Sequence, residues 1–141
     1  MQNEYKITVY RELLKKYKLK NTVGREKVFR ILLEAGQPLL PSIICSRIHK
    51  IDISTVYRTL KTLVGIGIIR NVARGFKTLY EPGEMFIDHH HHAICEKCGK
   101  VELIENNELE QLINRITKAA DMIPTFHHIE LFGNCKKCIK K

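Results

Sequence analysis

Residues 51–81 read IDISTVYRTLKTLVGIGIIRNVARGFKTLYE, which predicts one amphipathic helix followed by one hairpin. Asp52 or Ser54 can cap the helix, because a short side-chain oxygen there accepts an otherwise unpaired amide of the first turn. Val56, Leu60, Leu63 and Val64 recur at helical spacing and mark the buried stripe. Thr55, Tyr57, Arg58, Lys61 and Thr62 fall on the opposite face. Gly65 and Gly67 close the helix, and IIRNV and KTLYE flank the ARGF turn as antiparallel strands.

Upstream, Tyr10, Leu13, Leu14 and Tyr17 share one helical face, with Arg11, Lys15, Lys16 and Lys18 on its other side. Thr22 caps a second helix whose stripe is Val28, Ile31, Leu32 and Ala35. Gly36 ends that helix and Pro38 prevents a restart. A short helix over PSIICSRI starts at Pro41, and its Cys45 sits among apolar neighbours as a packing residue. Helices followed by a hairpin make a winged helix-turn-helix, and residues 1–84 form this domain.

Charge divides the chain at the same place. The net charge is +9; residues 1–84 hold 16 Lys and Arg against 7 Asp and Glu, whereas residues 85–141 hold 8 of each. An excess confined to one part is the footprint of a polyanion partner, here double-stranded DNA. No apolar run approaches the ~18 residues of a membrane span. The N-terminal MQNEYKITVYRELL lacks the apolar stretch of a signal peptide, which predicts a cytoplasmic protein with no membrane partner.

Residues 85–141 read as a small α/β unit. HAICEKCGKVELIE is a strand pair turned around two cysteines, Leu109, Leu112, Ile113 and Ile116 mark a helix, and FHHIELF alternates as a further strand. The fold class is therefore α+β, and a unit this small needs a staple or a partner.

Cys95-x-x-Cys98 and Cys135-x-x-Cys138 supply the staple. Cysteines in a reducing compartment at this spacing suggest metal thiolates before disulfides. Two such turns complete a tetrahedral sulfur cage for Zn²⁺, with bonds of about 2.3 Å and no open position, so the zinc is structural. Apparent binding free energies of order 10–16 kcal/mol at such sites offset what a small core lacks.

The run His89–His92 precedes this cage. In an extended chain His89 and His91 share one face, while His90 and His92 share the other. The run can thus serve two further ions. His127 and His128 lie on another strand and Glu110 on the intervening helix. Such mixed sets suit Zn²⁺, Fe²⁺, Mn²⁺ or Ni²⁺ alike.

Four stretches together resemble the ferric uptake regulator family of bacterial metal-dependent repressors. They are KLKNTVGREKVFRIL (18–32), STVYRTL (54–60), HHHHAICEKCGKV (89–101) and HHIELFGNCKKC (127–138). The resemblance implies a metal-responsive homodimer that binds palindromic operators to control metal-homeostasis genes, with residues 85–141 as the dimerisation domain. It assigns structural zinc to Cys95, Cys98, Cys135 and Cys138. It assigns a second site to His89, His91, Glu110 and His127, and a regulatory hinge site to Glu81, His90 and His92. The regulatory ion is then Fe²⁺ or Zn²⁺. Tyr57 and Arg58 match residues that meet bases, Lys20 and Arg25 match further DNA contacts, and Thr55 and Lys61 belong to the same face. Two positions depart from the family. Its hinge site takes a histidine from the DNA-binding domain, where GQPLLPS offers none and Leu39 or a neighbour stands instead. It also takes an acidic ligand where this chain has Leu103, with Glu102 one place early as a substitute.

A metal-dependent hydrolase and a metal-storage or chaperone protein are the rival readings. The sequence has no H-E-x-x-H helix and no evident nucleophile, so no enzyme and no small organic substrate is expected. Storage leaves STVYRTL and the one-sided charge without a role.

Overall fold

The computed structural model describes residues 2–140 and divides into two compact units, residues 1–88 and 89–141. No helix among the described residues is long and apolar enough to cross a membrane.

The first unit begins with helix α1 (Gln2–Lys16), which buries Ile7, Tyr10 and Leu14. Tyr17, expected in that stripe, is exposed because the helix stops at Lys16 and Lys18 turns left-handed at φ 55°. Helix α2 (Val23–Ala35) starts at Thr22, whose hydroxyl accepts from the Arg25 amide at 3.2 Å, and ends at Gly36 with φ 62°. It buries Val28, Phe29 and Leu32, while Ile31 and Ala35 are half-buried. Phe29 takes the inner place because its ring stacks on Tyr10 at 4.5 Å and meets Phe86 edge-on at 4.8 Å. Glu26 ties α2 to α1, accepting from Arg11 at 2.8 and 2.9 Å and from Asn21 at 2.7 Å.

Helix α3 (Pro41–Arg47) buries Ile44, and Cys45 packs against the same core. Helix α4 (Ile53–Gly65) is capped by Asp52 and buries Val56, Thr59, Leu60 and Leu63. Strands β1 (Ile69–Arg74) and β2 (Lys77–Pro82) pair antiparallel across a Gly75–Phe76 turn. Leu39 adds a short bridge to Tyr80, with reciprocal bonds of 2.9 and 2.8 Å. Gly83 lies so close to the chain that a Cβ there would stand 2.5 Å from the Gly67 carbonyl oxygen.

The second unit is a three-stranded sheet of order β4-β3-β5. Strand β3 (His91–Cys95) pairs antiparallel with β4 (Val101–Ile104), and Gly99 takes φ 71° in the turn between them. Helix α5 (Asn107–Ala119) then carries the chain over to β5 (Glu130–Gly133), which pairs parallel with β3. The strand expected over FHHIELF is therefore confined to its second half. Helix α6 (Lys136–Ile139) follows Cys135.

Candidate metal centres and nucleic-acid interface

Strand β3 orders the ligands of the second unit. His91 and His92 are its first two residues, so the pleat sends them to opposite faces. His89 joins the His91 face, with ring centroids 4.8 Å apart, and His90 joins the His92 face at 4.9 Å. His90, His91 and His92 are all buried.

On the first face Glu110 reaches out from the opening turn of α5. Its carboxylate lies 2.9 Å from His91 Nε2, 2.9 Å from His127 Nε2 and 3.5 Å from His89 Nε2. His89 and His127 approach to 3.0 Å. Four donor atoms around one ion at bond lengths of about 2.0–2.1 Å stand roughly 3.3 Å apart, so the cluster has the dimensions of a tetrahedral site. Protonation also suits an ion. Burial pushes the His91 imidazole toward its neutral, ligating form. Burial pushes the Glu110 carboxyl up, but the His91 hydrogen bond and nearby His127 and His89 outweigh it and keep the carboxyl below its ordinary value.

Cys95, Cys98, Cys135 and Cys138 form a second cluster, with all sulfurs within 4.8 Å of one another. The cysteines are free thiols, and Cys98 Sγ lies 3.8 Å from Cys135 Sγ. A sulfur tetrahedron with bonds of about 2.3 Å has an edge of roughly 3.8 Å, so the quartet fits zinc. The two short turns that present it close through Gly99 N to Cys95 O at 2.7 Å and Cys138 N to Cys135 O at 2.8 Å. The amides of Cys135 and Cys98 point at Cys95 Sγ and bring that thiol down to about 6. Proton sharing with Cys135 and Cys98 pushes Cys138 up to about 12. A bound cation would let all four sulfurs ionise together.

Glu81 belongs to the first unit, buried near the end of β2 with its carboxylate 2.5 Å from Arg70 Nε. Leu39 is a core residue and offers no donor atom. Glu102 pairs across β4 with Ala93, on the face away from His92, and its carboxylate meets Lys100. The side chain in register with His92 on β4 is Leu103. His128, named from the sequence as a possible ligand but assigned to no site, and Glu130, given no role, lie with His92 in a third cluster of the second unit. Their signal was His-x-Glu at strand spacing. Among the described residues His49 joins none of these clusters.

In the first unit α4 turns Tyr57, Arg58 and Lys61 outward. Asp52 accepts from the Thr55 amide at 3.0 Å and its hydroxyl at 2.6 Å, and Thr55 Oγ1 accepts from Arg58 Nη2 at 3.1 Å. Hydrogen bonds from Ser54 and Thr55 hold the Asp52 carboxyl well below the usual carboxylate range. The cap thereby also orients Arg58. Tyr57, Arg58 and Lys61 share an open hollow with Val64, Asn71 and Tyr80. The last two come from the hairpin and carry no sequence signal. Near the start of α2, the Arg25 guanidinium donates to the Lys20 carbonyl, so these two residues are held together.

The sequence model of the ferric uptake regulator family matches residues 16–132. The chain is 29% identical over 132 residues to the peroxide-responsive repressor PerR of Staphylococcus epidermidis, covering 89% of this chain and 85% of that protein. It is 32% identical over 120 residues to the ferric uptake regulation protein of Neisseria meningitidis serogroup A, covering 84% and 74%. Among solved structures, the Helicobacter pylori ferric uptake regulator, described as having three functional metal-binding sites, superimposes with a TM-score of 0.84 at 29% identity, covering 98% of this chain and 94% of that one. With these likenesses, a winged-helix unit and a cysteine-caged α/β unit together identify the chain as a member of the ferric uptake regulator family, whose proteins are metal-responsive transcriptional regulators and not enzymes.

Proposed function

We propose that the chain acts as a homodimer that represses metal-homeostasis genes when its second unit is loaded with Fe²⁺ or Zn²⁺. One observation carries this reading: a single strand, β3, presents imidazoles on both faces beside a sulfur cage, in a chain that also carries a basic reading helix. The relatives support both ions and the repressor role, being ferric uptake regulators, a peroxide-responsive repressor and a zinc-bound manganese uptake regulator. The mixed ligand sets accept either ion.

The dimer reading rests on α5. Its apolar stripe, Leu109, Leu112, Ile113 and Ile116, has no residue buried within the chain. Leu131 and Phe132 on the edge strand β5 are about half exposed as well. An apolar helix face beside an open sheet edge is the surface a second copy covers.

On DNA, Arg58 donates a bidentate pair to a guanine edge and Tyr57 packs against a thymine methyl. Lys20 enters the minor groove, while Arg25, Thr55 and Lys61 hold phosphates. A twofold dimer requires a near-palindromic operator. By family resemblance Glu81, His90 and His92 carry the regulatory role, and the four cysteines the structural one. A bound divalent ion supplies a positive centre that fixes several side chains in one arrangement. His89, His91 and His127 offer imidazole nitrogens to such a centre and Glu110 a carboxylate oxygen. The coupling to DNA is a population shift, limited by the ion's differential affinity for the arrangements that do and do not fit an operator.

Mobility shifts on palindromic DNA, using dimer that holds one zinc per chain, test the reading. Added Fe²⁺ or Zn²⁺ is expected to tighten binding by about 5–150-fold. Equal affinity with and without added metal would overturn it. Arg58→Ala is expected to cost about 1–3 kcal/mol and to relax specificity at one base pair, whereas Lys61→Ala weakens binding evenly across sequences.

A further inference from the structure

The parallel register of β3 and β5 sets His92 opposite Glu130. His128 precedes Glu130 by two residues, and the Ile129 carbonyl between them accepts from the His92 amide at 3.1 Å. The pleat therefore turns His128 and Glu130 to the His92 face. In the row that crosses the sheet at His92, β4 contributes the apolar Leu103 and β5 the carboxylate of Glu130.

The three side chains converge. His92 and His128 rings lie 5.3 Å apart at 55°, His128 Nε2 is 3.1 Å from Glu130 Oε1, and one donor atom from each residue falls within 4.8 Å of the others. The 3.1 Å between His128 Nε2 and Glu130 Oε1 is close to the roughly 3.3 Å that separates two ligand atoms on one ion, which leaves the ring's Nδ1 turned away from it. That Nδ1 is buried and makes no hydrogen bond.

We propose that His92, His128 and Glu130 form a third divalent-metal site, held by the second unit alone. Two imidazoles and one carboxylate are the donor set of a borderline transition ion such as Zn²⁺, Fe²⁺ or Co²⁺, with water completing the shell. The site joins β3 to β5 just ahead of the segment that delivers Cys135 and Cys138. It also engages His92, one of the two imidazoles that the family resemblance assigns to the regulatory set.

The test counts ions without DNA, so its outcome is separate from that of the regulatory reading. Full-length protein holding zinc at the four cysteines is titrated with Co²⁺ by equilibrium dialysis, following its visible absorption. His128→Asn and Glu130→Gln are each expected to lose one bound Co²⁺ per chain, and His127→Asn a different one, so that the double variant His127→Asn/His128→Asn loses two. Glu81→Gln is expected to retain the ion that His128→Asn loses. Retained cysteine-bound zinc verifies folding; Glu130→Gln, which keeps the side-chain volume, decides if His128→Asn does not fold. Wild-type Co²⁺ counts in Glu130→Gln and His128→Asn would overturn the proposal.

Discussion

The two units keep their folds by different means. The first buries a continuous apolar cluster running from Ile7, Tyr10 and Leu14 on α1 through Phe29 and Leu32 to Leu60, Leu63 and Phe86. The second, among its described residues, fully buries only Ile94 and Cys95 as apolar side chains, yet it buries three consecutive histidines. Where the first unit places hydrocarbon, the second places ligand atoms. Apolar burial stabilises by roughly 25 cal/mol per Å² whatever ions are present. A ligand core without its ions is a set of desolvated dipoles and thiolates that repel one another. The first unit should thus be indifferent to metal and the second dependent on it.

The sharpest way to break this contrast is to remove the sulfur-bound ion. Cys98→Ser, or a strong chelator at neutral pH, is expected to abolish protection of β3–β5 in hydrogen exchange while α2 and α4 keep theirs. Equal loss in both units, or none in either, would erase the distinction. A mutation in the apolar core probes the opposite arm. Leu60→Ala should cost about 2–5 kcal/mol, the usual range for a truncated buried leucine, and leave bound zinc unchanged in denaturant titrations followed by zinc release.

A smaller effect sharpens the picture through pH. Hydrogen bonds from Arg11, then from Asn21 and Arg30, outweigh burial and hold the Glu26 carboxyl at about 2, below its ordinary 4.5. A depressed carboxyl stabilises the folded unit above the unfolded value and loses that contribution as pH falls through the folded one. The first unit should therefore weaken between about pH 4.5 and pH 2. Glu26→Gln should flatten that dependence and cost about 1–2 kcal/mol at neutral pH, a modest figure because Arg11 is half exposed to solvent. Thermal unfolding of both proteins across that range is the measurement.

Most of the first unit was legible in one dimension. Thr22, Gly36, Pro41 and Asp52 end or start helices through groups within a few residues of themselves, so their roles follow from neighbours in sequence. Phe29 was missed because its burial depends on Tyr10 and Phe86, which lie far away along the chain. Asn71 and Tyr80 were missed for the same reason, since their place beside Tyr57 depends on how the hairpin packs on α4.

In the second unit the sequence by itself determined the cysteine turns and the two faces of the histidine run, because spacing and strand alternation are local geometry. Which distant residues complete each face was decided only in three dimensions. The parallel register of β3 with β5 is set by the crossover through α5, and shifting it by one residue would exchange His127 and His128 between faces. A sequence carries alternation within a strand, but the pairing of strands 35 or more residues apart is a property of the packed chain.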